Sequence, residues 1–211
     1  TMKLWVFGCS ESDRTEVDSC YGDYLSAELG IEYKHYAVGC GSNDRIFRIL
    51  PTLVKNNKIS SDDIVIVQYT EETRTEFYSG YNTDLPLRDV YNKGQILRYK
   101  ANSHSWQPNK TEQKFFKLYE KYFLDVEFAN EKFAAQNYAL QNVFFANNIN
   151  AWFLNIHGYT PKSFESIEIF NDKIITIDKL ECKQWFFDDG HFDTQGHKKV
   201  AKKVKKRLTF V

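Results

Sequence analysis

The residues best suited to act together chemically lie near the end of the 211-residue sequence, where Asp188 precedes His191 by three positions. A carboxylate at this spacing, on a turn that contains Gly190 and leads into a basic helix, can hold an imidazole in one tautomer and one orientation. Such a pair still lacks a nucleophile. We predict that Ser10, near the other end of the chain, supplies it.

Apolar runs and helical periodicities alternate along the chain and predict the elements that position these residues. Buried strands are predicted at residues 3–7, 31–38, 63–69 and 151–156, with residues 174–177 as a short further strand or a loop. Helices are predicted at 21–29, at 44–56 with Pro51 bending or dividing it, twice between 109 and 147, and from about 194. Strands that alternate with helices indicate one parallel sheet covered on both faces.

Two apolar stripes in the helices between residues 109 and 147 are predicted to pack in the core rather than to bind a cofactor, and no cofactor is predicted. The stripes are Phe115/Tyr119/Tyr122/Val126 and Phe133/Leu140/Phe144.

Polar clusters follow the predicted strands. In an open parallel sheet, ligands bind outside the carboxyl ends of the strands, near the switch in strand order. We therefore predict that the clusters converge at one edge of the sheet. They are Gly8-Cys9-Ser10, residues 39–43, residues 70–74, and the segment that contains Asp188 and His191.

The order and spacing of these segments resemble those of the SGNH, or GDSL-type, hydrolase family. The resemblance covers most of the chain except residues 78–108, and it implies a flavodoxin-like three-layer α/β/α sandwich with a central parallel sheet. It also implies ester hydrolysis by a Ser-His-Asp triad. The matching segments are Val6–Ser10, Tyr24–Gly30, Tyr36–Asn43, Asp63–Thr70, Asp188–His191 and Gly196–His197.

The resemblance implies a role for each residue of the triad. Ser10 is the nucleophile, His191 the general base and then the general acid, and Asp188 the carboxylate that orients the histidine. The ordinary pKa of histidine, about 6.5, suits such proton exchange at neutral pH. Asp189 is the competing carboxylate, but the three-residue spacing favours Asp188. His197 is expected to be structural, bonding to the loop that carries the triad.

An oxyanion hole for such a reaction needs preorganised hydrogen-bond donors. The backbone N–H of Ser10 is one candidate. A second comes from the turn after the second predicted strand. If positions are counted from His35, where the family often carries Asn, this donor is Cys40. If the glycines of the turn are matched instead, the donor is Gly41.

The third donor is where the sequence departs from the family pattern. A Gly-x-Asn block is expected after the third strand, but the sequence here is Thr70-Glu71-Glu72. A glutamate donates no hydrogen bond unless it is protonated, and its charge opposes an oxyanion. We predict that the Thr70 hydroxyl replaces the missing donor, and that Arg74 neutralises Glu72 or Glu76.

Residues 78–108 show no clear periodicity and contain several aromatic residues, which is typical of a lid or binding loop. Aromatic rings stack on sugar faces, so the preferred substrate is an O-acetyl carbohydrate or another small acyl ester. Arg74, Tyr78 and Trp106 are the predicted substrate-binding residues. Two alternatives stay open: a non-hydrolytic carbohydrate-binding module, which the altered third donor motivates, and acyl transfer to an acceptor other than water.

Composition limits the partners. The 28 Lys+Arg and 28 Asp+Glu residues give no net charge, which argues against a dedicated nucleic-acid binder. No apolar run is long enough for a membrane span and no secretory leader is visible, so a cytoplasmic protein is the default expectation. A single domain of residues 1–211 is expected, and the oligomeric state is not indicated.

A metal site formed by Asp188, His191 and His197 is a less favoured alternative, because the sequence has no tight pair of histidines one helical turn apart. The cysteines lack CxxC spacing and are expected to be reduced, with Cys9–Cys40 the one pairing to check. They are Cys9, Cys20, Cys40 and Cys182.

Overall fold

The structure is a computed structural model that describes residues 1–14, 17–39, 41–78, 96–99, 110–156, 170–178 and 191–208. The strands are β1 (Lys3–Phe7), β2 (Glu32–His35), β3 (Ile64–Gln68), β4 (Thr75–Tyr78), β5 (Ile96–Tyr99), β6 (Asn150–Ile156) and β7 (Ile174–Ile177). The helices are α1 (Tyr21–Leu29), α2 (Asn43–Lys55), α3 (Lys110–Tyr122), α4 (Val126–Ala146) and α5 (Thr194–Leu208).

The central sheet has five parallel strands in the order β2-β1-β3-β6-β7. After β1 the chain adds β2 on one side and then crosses back to add β3 on the other, so the strand order reverses beside β1. This is the order of flavodoxin-like proteins, in which the reversal marks the crevice that binds ligands. The prediction of an α/β protein with a central parallel sheet is confirmed.

Strands β1, β3 and β6, in the middle of this sheet, are buried on both faces, because their side chains alternate between two apolar clusters. In β1, Trp5 and Phe7 enter the first cluster, whereas Leu4 and Val6 enter the second. Helices α2 and α4 complete the first cluster, and helices α1 and α5 complete the second, so a helical layer covers each face. The helical side chains include Ile49, Leu50, Phe133 and Phe144 in the first cluster, and Leu25, Val200, Ala201 and Val204 in the second.

The ends of α1 and α2 follow local signals in the sequence. Gly30 ends α1 in the left-handed conformation, with a φ of 67° that suits a residue without a Cβ. Ser42 caps α2, and its side chain accepts a hydrogen bond from Arg45 N. Helix α2 continues through Pro51, so the helix is not divided there. Among the described helices, none is long and apolar enough to cross a membrane.

The core stripe predicted for α3 and the start of α4 is wrong for most of its members. Phe115, Tyr122 and Val126 are 39%, 62% and 54% exposed, whereas the neighbouring Phe116 is buried. Apolar residues occupy more than one side of α3, so periodicity does not decide which side faces the core. The stripe predicted further along α4 is confirmed, and its buried members are Phe133, Leu140 and Phe144.

The segment predicted as a long loop contains a strand. β5 pairs antiparallel with β4 in a separate two-stranded sheet, with Thr75 opposite Tyr99. The prediction of a loop is therefore wrong for residues 96–99. A local pattern does not show this strand, because its partner lies some twenty residues earlier in the chain. Residues 79–95 and 100–109 lie outside the described residues.

Phe144 and Phe145 are adjacent in α4 and test how this helix packs. Phe144 is 0% exposed and lies against the rings of Phe153 and Phe170, whereas Phe145 is 72% exposed. We expect Phe144→Ala to lower the free energy of unfolding by about 3–5 kcal/mol, because burial is lost and a cavity is left. Phe145→Ala, the matched control, should change it by less than about 0.5 kcal/mol. Chemical denaturation measures both values, and equal losses would contradict the packing described.

Candidate active site

Ser10 and His191 are in direct contact, although 181 positions separate them in the sequence. Ser10 begins a 3-10 turn (Ser10–Ser12) shortly after β1, and His191 lies shortly before α5. The distance from His191 Nε2 to Ser10 Oγ is 2.8 Å, which is a good hydrogen bond. The structure therefore brings together two of the predicted site residues, in a contact that allows the histidine to take the serine proton.

Gln68, at the end of β3, holds the turn that carries Ser10. Gln68 Oε1 accepts hydrogen bonds from Cys9 N at 3.1 Å, Cys9 Sγ at 3.3 Å and Ser12 Oγ at 3.2 Å. Gly8 allows the two segments to approach, because a Cβ at this position would lie 2.8 Å from Gln68 Oε1. Sequence reasoning missed Gln68. Its one signal is a polar residue at the end of an otherwise apolar strand.

The turn after β2 is attached to the segment that carries Ser10. Val38 N donates a hydrogen bond to Gly8 O at 3.3 Å, and Gly39 N donates to Asp13 Oδ2 at 2.8 Å. Asp13 directly follows the 3-10 turn. The second predicted loop of the site is therefore held beside the first by one backbone bond and one carboxylate.

Gly41 and Cys40 are the two positions predicted for the second oxyanion donor. The N–H of Gly41 donates to Val38 O at 2.9 Å, so it is already engaged within the turn. A Cβ on Gly41 would lie 2.9 Å from Gly8 O, which explains the need for glycine there. Gly41 is therefore the weaker candidate of the two, and Cys40 lies outside the described residues.

Thr70 follows β3 and is held by Asn43, the first residue of α2. Asn43 Nδ2 donates to Thr70 O at 2.8 Å, and Thr70 N donates to Asn43 Oδ1 at 2.9 Å. Thr70 is buried, and its Oγ1 has no hydrogen-bond partner among the described residues. A buried hydroxyl of this kind is costly unless a ligand supplies the partner. Sequence reasoning missed Asn43, because a polar turn does not reveal which of its members reaches another strand.

Arg74 pairs with Glu71, with 3.3 Å between Arg74 Nε and Glu71 Oε2. Glu76 instead pairs with Arg48 at 2.8 Å, so the prediction that Arg74 neutralises it is wrong. No ion pair joins Arg74 to Glu72 in the described part of the chain. The side chain of Arg74 is fully buried, and its predicted contact with a substrate stays a prediction.

Several predicted site residues lie wholly or partly outside the described residues, and their roles stay predictions. They are Cys40, Trp106, Asp188 and Asp189, together with the side chain of Tyr78. Cys9 and Cys20 are buried free thiols, so the Cys9–Cys40 bridge is not formed. Within the ranges that the structure describes, no group of three or more His, Cys, Asp or Glu residues could hold a metal ion.

His197 connects α5 to the start of α1. Its Nδ1 accepts a hydrogen bond from Tyr21 N at 3.2 Å, and its ring stacks on that of Tyr21. Burial lowers the pKa of His197 to about 4, because a charged imidazole is poorly solvated in this position. The imidazole is therefore neutral at neutral pH, with its proton on Nε2. These contacts are structural and are made with the start of α1, whereas the predicted bond to the loop that carries the triad stays a prediction.

Comparison with known proteins gives no match by sequence, either with family models or with curated proteins. Several solved structures do match. The psychrotrophic esterase EstA from Pseudoalteromonas has a TM-score of 0.53 at 11% identity, covering 100% of this chain and 96% of that chain. An acetyl xylan esterase has a TM-score of 0.54 at 12% identity, over 98% and 100%. A protein from Slackia heliotrinireducens assigned to the SGNH hydrolases has a TM-score of 0.52 at 12% identity, over 99% of each chain. This chain has the SGNH hydrolase fold.

The SGNH fold accounts for the meeting of distant polar residues at one edge. Its backbone arrangement persists at identities near 10%, which is why the likeness is visible in structure and not in sequence comparison.

The buried neutral state of His197 predicts sensitivity to acid. The unfolded chain binds a proton at this residue at about pH 6.5, whereas the folded protein does so only at about pH 4. The unfolded state holds more protons between these values, so stability falls as the pH drops through this window. We expect the stability advantage of wild type over His197→Gln to shrink by roughly 3 kcal/mol from pH 7 to pH 4. Denaturation at a series of pH values measures it, and a constant difference would contradict the burial.

Proposed function

We propose that this protein is a serine ester hydrolase in which Ser10 is the nucleophile and His191 is the general base. The observation that carries the proposal is the 2.8 Å hydrogen bond between Ser10 Oγ and His191 Nε2. The contact lies where the carboxyl ends of parallel strands meet, which is the usual location of active sites in open α/β folds. A serine in contact with a histidine is the arrangement that activates a hydroxyl for acyl transfer.

In the first half of the reaction, Ser10 Oγ attacks the carbonyl carbon of the ester while its proton passes to His191 Nε2. The carbonyl oxygen becomes an oxyanion and the imidazole becomes an imidazolium. Collapse of this intermediate breaks the bond to the alcohol, which leaves with the proton from His191 and leaves the acyl group on Ser10. Asp188 is proposed to orient His191 by accepting a hydrogen bond from Nδ1, as the spacing of the two residues suggests.

In the second half, a water molecule attacks the acyl group while His191 Nε2 takes one of its protons. The new tetrahedral intermediate breaks its bond to Ser10 Oγ, which recovers the proton from His191 as the carboxylic acid leaves. The enzyme returns to its starting state. An alcohol in place of the water would make the same step an acyl transfer, so the accepting molecule alone separates these two activities.

Three donors are proposed for the oxyanion: the backbone N–H of Ser10, the backbone N–H of Cys40 and the hydroxyl of Thr70. Cys40 is preferred because the alternative, the N–H of Gly41, already bonds to Val38 O. Thr70 is supported by its buried Oγ1, which lacks a partner among the described residues. A hydroxyl that stays buried and unpaired in the free protein gains its bond when negative charge forms beside it.

For the substrate we propose a small acyl ester, with an O-acetyl carbohydrate as the preferred class. Two observations support this class: the aromatic residues in the segment 78–108, and a fold similar to that of an acetyl xylan esterase. Hydrolysis is favoured over a non-hydrolytic binding module, because recognition alone does not require the contact between Ser10 and His191.

Replacement of either member of the proposed pair tests the activity. We expect Ser10→Ala and His191→Ala each to lower kcat for p-nitrophenyl acetate and for acetylated xylo-oligosaccharides by about a thousandfold or more. Ser61→Ala, a substitution at an exposed serine before β3, is the control and should keep wild-type rates. Wild-type hydrolysis no faster than that of Ser10→Ala would reject the proposed function.

The Thr70 hydroxyl is tested by two substitutions of similar shape. Thr70→Val removes only the hydroxyl and should lower kcat by about a hundredfold or more, with little change in KM, because the lost bond forms in the transition state. Thr70→Ser keeps the hydroxyl and should stay within about tenfold of wild type. Steady-state kinetics measures both variants. Equal rates for Thr70→Val and wild type would show that Thr70 is not a donor.

A further inference from the structure

Asp13 joins the two loops that the proposed reaction must keep in register. It directly follows the 3-10 turn that begins with Ser10, and its Oδ2 accepts a hydrogen bond from Gly39 N at 2.8 Å. Gly39 lies in the turn that holds the proposed second oxyanion donor, Cys40. The other carboxylate oxygen, Oδ1, lies 2.8 Å from His35 Nε2. One side chain thus binds both the turn after β2 and the histidine at the end of β2.

The far side of the His35 ring is also bonded. His35 Nδ1 lies 2.7 Å from the hydroxyl of Tyr33, which lies 3.3 Å from Cys20 Sγ. Cys20 Sγ in turn donates to Asp23 Oδ2 at 3.3 Å. When both ring nitrogens of His35 carry protons, every hydrogen bond in this series has one donor and one acceptor. The series then has the imidazolium in the middle and a carboxylate at each end.

The charged and titratable groups around His35 come from three segments of the chain. Asp13 contacts Nε2 of His35, and Tyr33 on β2 contacts Nδ1. Cys20 and Asp23, at the start of α1, lie beyond Tyr33 on the Nδ1 side. Arg14 is bound to Asp23, and its guanidinium lies 5.6 Å from the centre of the Tyr33 ring. Arg14 therefore neutralises Asp23, while Asp13 is in direct contact with His35 as its counterion.

The electrostatics of this arrangement agree with its geometry. Burial by itself lowers the pKa of His35, but the hydrogen bond with Asp13 and the contact with Cys20 outweigh it and raise the pKa to about 9. His35 is therefore a cation at neutral pH.

We propose that Asp13 and the protonated His35 form a positioning pair that holds the turn after β2 at the distance from Ser10 that the oxyanion requires. The inference rests on the proposed function. The two residues act by positioning the turn after β2 and do not contact the substrate. His35 fixes the orientation of the Asp13 carboxylate, and the carboxylate fixes Gly39 N. Loss of the His35 proton weakens the ion pair, so the turn loses its register with the nucleophile as the pH rises through about 9.

The sign of the pH effect follows from the same linkage. The folded protein keeps the proton on His35 up to about pH 9, whereas the unfolded chain releases it at about pH 6.5. The stabilisation by the pair is therefore complete below pH 6.5 and is lost as the pH rises towards 9. Catalysis concerns only the folded enzyme, so the effect of the pair on kcat should follow the folded pKa and be lost around pH 9.

His35→Gln tests the pair, because its amide can still donate to Asp13 but carries no charge. We expect kcat for p-nitrophenyl acetate to fall about tenfold at pH 7.5, with KM within about twofold, since a misplaced donor affects the transition state. The ratio of the wild-type kcat to that of His35→Gln should shrink towards one above pH 9. Lys34→Gln removes a charge from the same strand at a partly exposed position and should leave the wild-type profile unchanged.

The variant Asp13→Asn supplies a second, independent measurement. In it the ring of His35, followed by NMR, should titrate well below the pH of about 9 expected in wild type. The double variant with His35→Gln should lose no more kcat than Asp13→Asn alone. A kcat ratio that stays constant across the pH range, or losses that multiply in the double variant, would overturn the positioning pair. If wild type itself hydrolyses no ester, the proposed function fails and this inference falls with it.

Discussion

The close approach of β1 and β3 at their carboxyl ends is the constraint on which the site depends. Gly8 has no Cβ, so Gln68 at the end of β3 can reach the segment that follows β1 and accept a hydrogen bond from Cys9 N. The 3-10 turn that begins at Ser10 is thereby held against the sheet, and its hydroxyl meets His191. β1 also lies beside the reversal in strand order, which is where ligands bind in open parallel sheets.

The polar groups at this edge are held by partners from different loops, and the partners decide the charge of each group. His35 and His197 have the same ordinary pKa but shift in opposite directions. His197 lies against the rings of Tyr21 and Phe192, and its burial lowers its pKa to about 4, so it is neutral. His35 is also half-buried, but the carboxylate of Asp13 stabilises its charged form. A histidine in such a site is thus a cation or a neutral acceptor according to whether an acid lies beside it.

Local patterns in the sequence correctly predicted the elements that have a clear apolar run or a clear end signal. The apolar run of β1 and the helix that ends at Gly30 have the predicted bounds, since a buried strand and a glycine stop are visible within a few neighbouring residues. The side of α3 that faces the core was predicted wrongly. Phe115 and Phe116 are adjacent and equally apolar, and the choice between them depends on what packs against the helix. No property of α3 alone contains that information.

The sequence by itself determined the alternation of strands and helices, which follows from periodicity. The resemblance to the SGNH family added the prediction of Ser10 and His191, whose side chains the structure brings into contact. Only the tertiary structure decided that Gln68 holds the turn that carries Ser10, that Asn43 holds Thr70, and that the N–H of Gly41 is already engaged. Each of these contacts joins or closes loops whose relative positions are set by the packing of the sheet. Hydrogen bonds between residues far apart in the chain produce no periodicity in the sequence. One amide or glycine in a polar turn therefore cannot be told from another before the strand positions are known.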